Sequence, residues 1–184
     1  MTKTATITKG RQAMLAVHGP ARLTVDAKPV KLRRKGLALL YVLAVDGPTR
    51  RERLAEILWG HTRALQNLRV ELHRLKDALS PLGIEPFADG SDPLSLAGVM
   101  LDRAAPKPTG TSVLLEGLDD ISPEFQEWLD RLRDTDAQQA GSHARTALVD
   151  ELARTITTPF VLVLAGEPGS GRRAVAQDLA GRLG

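Results

Sequence analysis

Between Ala64 and Leu79 the chain places Leu65, Leu68, Leu72, Leu75 and Leu79 at alternating steps of three and four, the spacing of one helix face. The other faces of that segment carry Gln66, Asn67, Arg69, Val70, His73, Arg74 and Lys76. Amide, guanidinium and imidazole groups at that density can pair with the donors and acceptors of base edges, and the cations with phosphates. A second cluster is Gly166-Glu-Pro-Gly-Ser-Gly-Arg-Arg173. It follows an apolar run, Phe160–Ala165, that reads as a buried strand, and it opens a helix expected over Ala174–Leu183. Strand, glycine-rich loop and helix N-terminus are the setting in which backbone N–H groups cradle phosphate oxygens. Gly166, Gly169, Ser170, Gly171 and Arg172 are the candidate phosphate contacts there.

That loop lacks the chemistry of hydrolysis. Gly166 and Gly171 stand at the P-loop spacing, but Arg172 occupies the place of the lysine that reaches the terminal phosphates. Arg173 occupies the place of the Ser or Thr whose hydroxyl holds Mg²⁺. A guanidinium pairs with phosphate in its own geometry and cannot ligate a cation. No acidic strand follows to complete a metal site. No catalytic residues, no metal and no cofactor are therefore expected, although phosphate or nucleotide affinity, ATP included, is left open. The histidines at 18, 61, 73 and 143 are scattered, without the pairing that zinc requires. Asp119-Asp120 reads as a solvated or capping pair rather than an acid–base pair.

The background composition fits a core built from Leu, Ala and Val. Of 184 residues, 42% are apolar and only 3% aromatic, and there is no cysteine for disulfides or thiolate metal sites. The start of the chain lacks the apolar core of a signal peptide, and no run is long enough for a bilayer. A cytoplasmic protein without membrane contact is expected. Charge is divided unevenly. Residues 1–80 hold 16 Lys/Arg against 6 Asp/Glu, a balance of +10, whereas residues 81–158 hold 6 against 14, a balance of −8. A basic first half suits a polyanion; a solvated surface is the bland alternative.

The elements that must position these residues follow from pattern and punctuation. Met14–His18, Ala21–Val25 and Val30–Leu32 read as short strands, with a turn at Asp26–Pro29. Arg33–Val45 reads as a helix ended by Asp46-Gly-Pro48. Thr49, with Glu52 three residues on, has the capping-box spacing for a second helix reaching Trp59. The third helix is stopped by Ser80-Pro-Leu-Gly83, and Ile84–Phe87 with Leu94–Leu96 could pair across Ala88–Pro93. Arg103–Thr111 reads as a linker and Leu114–Ile121 as a short extended piece and turn. Ser122 and Pro123 open a helix to about Leu132, striped by Phe125, Trp128, Leu129 and Leu132. A further helix is expected over Ala137–Thr157.

Strands, three helices and a hairpin are the layout of a winged helix. Residues 14–98 resemble the DNA-binding domain of OmpR-type regulators, and more closely that of the SARP (antibiotic-regulatory-protein) activators. The likeness rests on Ala38-Leu-Leu-Tyr-Val-Leu43, Arg51-Glu-Arg-Leu-Ala-Glu-Ile-Leu-Trp59 and Asn67-Leu-Arg-Val-Glu-Leu-His-Arg-Leu75. It implies an α+β winged helix-turn-helix, with the third helix as recognition helix and a wing near Ala88–Pro93. Wings of this family often carry an Arg near the tip; here Asp89 and Asp92 stand there and no Arg. Residues 113–134 resemble one piece of the activator domain that follows such winged helices. The alternative for that piece is an acidic amphipathic helix packed on the first domain. The loop at 166–173 resembles the start of a P-loop ATPase module.

These readings divide the chain into a winged-helix domain (13–100), a linker and acidic helical segment (101–157) and a strand–loop–helix fragment (158–184). The expected function is sequence-specific binding of double-stranded DNA by a transcription regulator that is not an enzyme. Gln66, Asn67, Val70, His73 and Arg74 are the expected base readers. Arg33, Arg34, Arg51, Arg69 and Lys76 are the expected phosphate contacts. Cations at 33–35 oppose the helix dipole, and a DNA phosphate would compensate them. RNA polymerase and a second copy of the chain are the further candidate partners. The alternative is a nucleotide-sensing module whose winged helix serves protein interaction.

Overall fold

Short alternating segments at the start of the chain pair into a sheet because each offers one apolar face. In the computed structural model, which describes residues 12–88, 92–102, 113–155, 163–165 and 171–183, β1 spans Ala13–Ala16, β2 Leu23–Val25 and β3 Lys28–Val30. Ala13, Leu15, Leu23 and Val25 are buried. β1 and β2 run antiparallel with Leu15 opposite Leu23, and β2 and β3 with Val25 opposite Lys28. The connecting residues Asp26 and Ala27 both have positive φ, 50° and 63°, as a two-residue hairpin turn requires. The strands lie a residue or more earlier than expected or are shorter. A fourth strand, β4 (Val99–Asp102), was not legible in the pattern; it runs parallel along β1 and completes the order β3-β2-β1-β4.

Three helices fill the crossover between the sheet's hairpin and β4. In α1 (Arg34–Asp46) every residue from Gly36 to Leu43 is buried, more than the single face its periodicity predicts, so this helix runs through the core. It ends at Gly47, whose φ of 79° is open to glycine. α2 (Arg51–Trp59) buries Leu54, Ala55, Ile57 and Leu58. After a 3₁₀ turn, Thr62–Ala64, α3 (Leu65–Leu79) buries Leu68, Leu75 and Leu79, with Leu65 and Leu72 half-buried. The Tyr41 hydroxyl donates to Ala16 O and accepts from the Arg22 N–H at 3.2 Å, joining α1 to the point where β1 and β2 diverge.

The expected capping box does not form. The Thr49 hydroxyl donates to Gly47 O, and no side chain at the N-cap of α2 accepts from the helix. Instead Asp92 Oδ1 accepts from the Arg51 N–H at 3.1 Å. Thr49 and Leu94 exchange two backbone bonds of 2.9 Å, which brings Asp92 to that helix end. The hairpin is present in brief: Phe87 bridges Leu96, with Ala88 N–H to Ser95 O and Ala97 N–H to Pro86 O. Its tip, including Asp89, lies outside the described residues.

The first compact unit reaches Arg131, past the expected boundary at residue 100. Leu114 and Glu116 bridge to His18 and Pro20, and the Arg34 guanidinium donates to the carbonyls of Gly117 and Asp119. α4 (Pro123–Thr155) begins as expected, with Ser122 Oγ accepting from the Phe125 N–H at 3.1 Å and itself donating to Ile57 O. Phe125 and Leu129 are fully buried, and Trp128 Nε1 donates to the Asp46 carboxylate. The start of this helix therefore packs its apolar stripe on the first unit.

The second unit covers residues 132–184. α4 continues unbroken where a break near Leu132 is expected; residues 133–140 contain neither Gly nor Pro to stop it. α5 (Arg172–Leu183) begins two residues earlier than expected. Val149, Val175 and Leu179 form a small core with Leu152, Ala153 and Leu164, and Arg182 pairs with Asp150. The expected strand Phe160–Ala165 is described only at 163–165, where the chain is not a strand; Leu164 packs on helices instead. No helix among the described residues is long and apolar enough to cross a membrane.

Candidate nucleic-acid interface

Burial of Leu68, Leu75 and Leu79 turns the opposite face of α3 outward. Gln66, Asn67, Arg69, Val70, His73, Arg74 and Lys76 are all exposed. At 3.6 residues per turn, Gln66, Val70, His73 and Asp77 form the ridge furthest from the core. Arg69 and Lys76 run along one flank, Asn67 and Arg74 along the other. Asp77 was missed by the sequence reading, although its place four residues after His73 was visible. His73 Nε2 and Asp77 Oδ2 stand 3.5 Å apart.

Each flank borders a groove lined with cations. The first, of about 370 Å³, brings Arg51, Arg69, His73 and Lys76 around Leu72, Phe87, Ala88 and Leu94. The N-terminus of α2 and the hairpin thus meet α3 here, which brings Arg51, Arg69 and Lys76 to one groove. Asp92 at the start of α2 supplies the negative charge that this helix end favours. Its acidity therefore has a use within the fold.

The second groove, of about 610 Å³, lies between α3 and the start of α1. Arg33, Arg34, Lys35, Trp59, Asn67, Val70, Glu71 and Arg74 line it. Lys35 Nζ sits 4.9 Å from the Trp59 ring centroid, a cation–π contact. Burial lowers the Lys35 pKa, and the Glu71 carboxylate opposes that shift. Trp59 and Glu71 were not singled out from the sequence as interface residues, whereas Lys35 was noted with the cations at 33–35. Glu71 is the buried charged residue among the described core, 5% exposed, with Arg74 Nη1 3.4 Å from its Oε2. The cations at the start of α1 thus have partners within the fold: carbonyls for Arg34, an aromatic face and a carboxylate for Lys35. Arg33 is exposed at the groove's edge. Arg34 is correspondingly committed to the segment at 117–119, which restricts its expected role at phosphate.

Gly166, Gly169 and Ser170 lie outside the described residues. Gly171, with φ 79°, precedes α5 and accepts its first helical bond from the Val175 N–H. Arg172 and Arg173 are exposed in the first turn. Among the described residues no group of His, Cys, Asp and Glu could hold a metal ion. Comparison of the chain with protein families, with curated proteins and with solved structures finds no match.

Proposed function

We propose that the first compact unit is a winged-helix domain that binds double-stranded DNA and regulates transcription. The observation that carries this reading is α3: an exposed ridge rich in hydrogen-bonding groups, flanked on both sides by cation-lined grooves. A helix lying in a major groove meets base edges along its ridge and a phosphate backbone on either side. In that pose Gln66, Val70 and His73 reach base edges, and Asn67 and Arg74 reach them from one flank. Arg51, Arg69 and Lys76 meet one phosphate strand, and Arg33 and Lys35 the other. Lys35 joins as one of the cations at 33–35 that the sequence pointed to, and Trp59 as an addition. The hairpin around Phe87 and Leu96 acts as the wing and supports α2 rather than entering the minor groove.

Hydrogen exchange of the full chain with and without duplex DNA tests this pose. Slowed exchange is expected in α3, at the start of α2 and at the start of α1. Protection centred on α5, or none on any duplex, would refute it.

A further inference from the structure

We infer that Glu71 is a positioning residue that holds the Arg74 guanidinium for a guanine, and so fixes one G·C pair in the duplex this protein selects. The inference rests on the DNA-binding reading of α3 and deepens it.

A carboxylate buried beneath a helix is costly unless its charge is answered. Glu71 is nonetheless built into the fold. The backbone opposite it is Gly36, where a Cβ would stand 2.7 Å from Glu71 Oε1 and 3.1 Å from Leu75. The carboxylate end thus lies directly against the α1 backbone, where a larger residue would make it shift. The charge is answered by Arg74, three residues further along the same helix.

The Glu71–Arg74 pair is lopsided. The Glu71 side chain is 7% exposed and that of Arg74 48%. An ion pair serving stability alone has no need to keep its cation at the rim of a groove. One end of this pair is anchored in the core, and the other stands in the groove beside the ridge of α3. Nη1 alone contacts the carboxylate, and Glu71 is the acidic partner of Arg74 among the described residues. Of the five donors of a guanidinium, most therefore remain for a ligand. Guanine presents O6 and N7 as paired acceptors to that fork, whereas adenine places an amino group where O6 would be. A guanidinium already held at one edge loses less rotamer freedom on binding.

Selection of duplexes from a random-sequence library with the full chain tests the inference, using wild type, Glu71→Gln, Arg74→Ala and the double variant. Glu71→Gln keeps the shape and removes the charge; its thermal midpoint checks that the fold survives. Wild type is expected to enrich a site with one guanine preferred by about tenfold or more, the scale of a bidentate arginine contact. Arg74→Ala should erase that preference. Glu71→Gln should reduce it severalfold at the same position and leave the others, and the double variant should match Arg74→Ala there. A guanine preference intact in Glu71→Gln overturns the inference while leaving DNA binding standing. So does a Glu71→Gln variant that weakens all sequences alike. A wild-type chain that enriches no sequence overturns both readings.

Discussion

Tyr41, the one tyrosine of the chain, lies fully buried with its hydroxyl between Ala16 and Arg22. Burial pushes its pKa up to about 12 from the ordinary 10.0. A folded value raised above the unfolded one contributes stability that is complete below pH 10 and is lost as pH climbs towards 12. Lys35 has the opposite sign: its folded value is lowered, so strain from its charge is relieved as pH rises to 10.5. Tyr41→Phe separates the two. It should cost about 1–3 kcal/mol at neutral pH by leaving two backbone groups unpaired, and it should remove the alkaline loss due to the phenol. Urea unfolding at a series of pH values reads both; an alkaline limb unchanged by the substitution would contradict the account. On α3, Arg74→Ala should weaken a preferred duplex more than a random one by about 1–3 kcal/mol. Lys76→Ala should weaken both about equally. Equal losses on both duplexes for Arg74→Ala would remove it from the base readers.

Among the elements, those announced by local signals came out close to expectation. The three-and-four spacing of leucines in α3, Gly47 after α1, and Ser122 with Pro123 before α4 each act within a turn of chain. What sequence could not supply depends on distant partners. Thr49 has the correct spacing for a cap, yet the carboxylate at the start of α2 is Asp92, 41 residues away from Arg51. β4 has no periodic signature and exists because β1 offers it a parallel edge. Glu71 gives no sign of burial in the sequence, yet it is buried with its carboxylate close against Gly36 of α1. Two consequences are measurable by denaturant midpoints. Asp92→Ala should cost about 1 kcal/mol, the usual worth of a lost helix cap, and no change would sever the hairpin from α2. Phe125→Ala should cost about 3–5 kcal/mol as a core truncation, which a free-standing unit ending at residue 100 would not feel.

Taken whole, the molecule separates its charge: +10 over residues 1–80 and −8 over residues 81–158. The cations of both grooves beside α3 come from the basic part, while acidic α4 begins against α1 and α2 through Trp128 and Ser122. The sequence at 166–173 keeps glycines but has Arg173 where a Mg²⁺ ligand would stand. The full chain is expected to release no phosphate from ATP above background with Mg²⁺; sustained Mg²⁺-dependent release would contradict that. The central claim is that α3 and its flanking cations engage duplex DNA. Its most direct test is the affinity of the full chain for duplex DNA, by fluorescence anisotropy, as salt rises from about 50 to 200 mM. Contacts from Arg33, Lys35, Arg51, Arg69 and Lys76 predict a linear fall of log K with log salt, amounting to about a five-hundredfold loss. Binding that is absent at low salt, or that does not weaken across this range, would contradict the account.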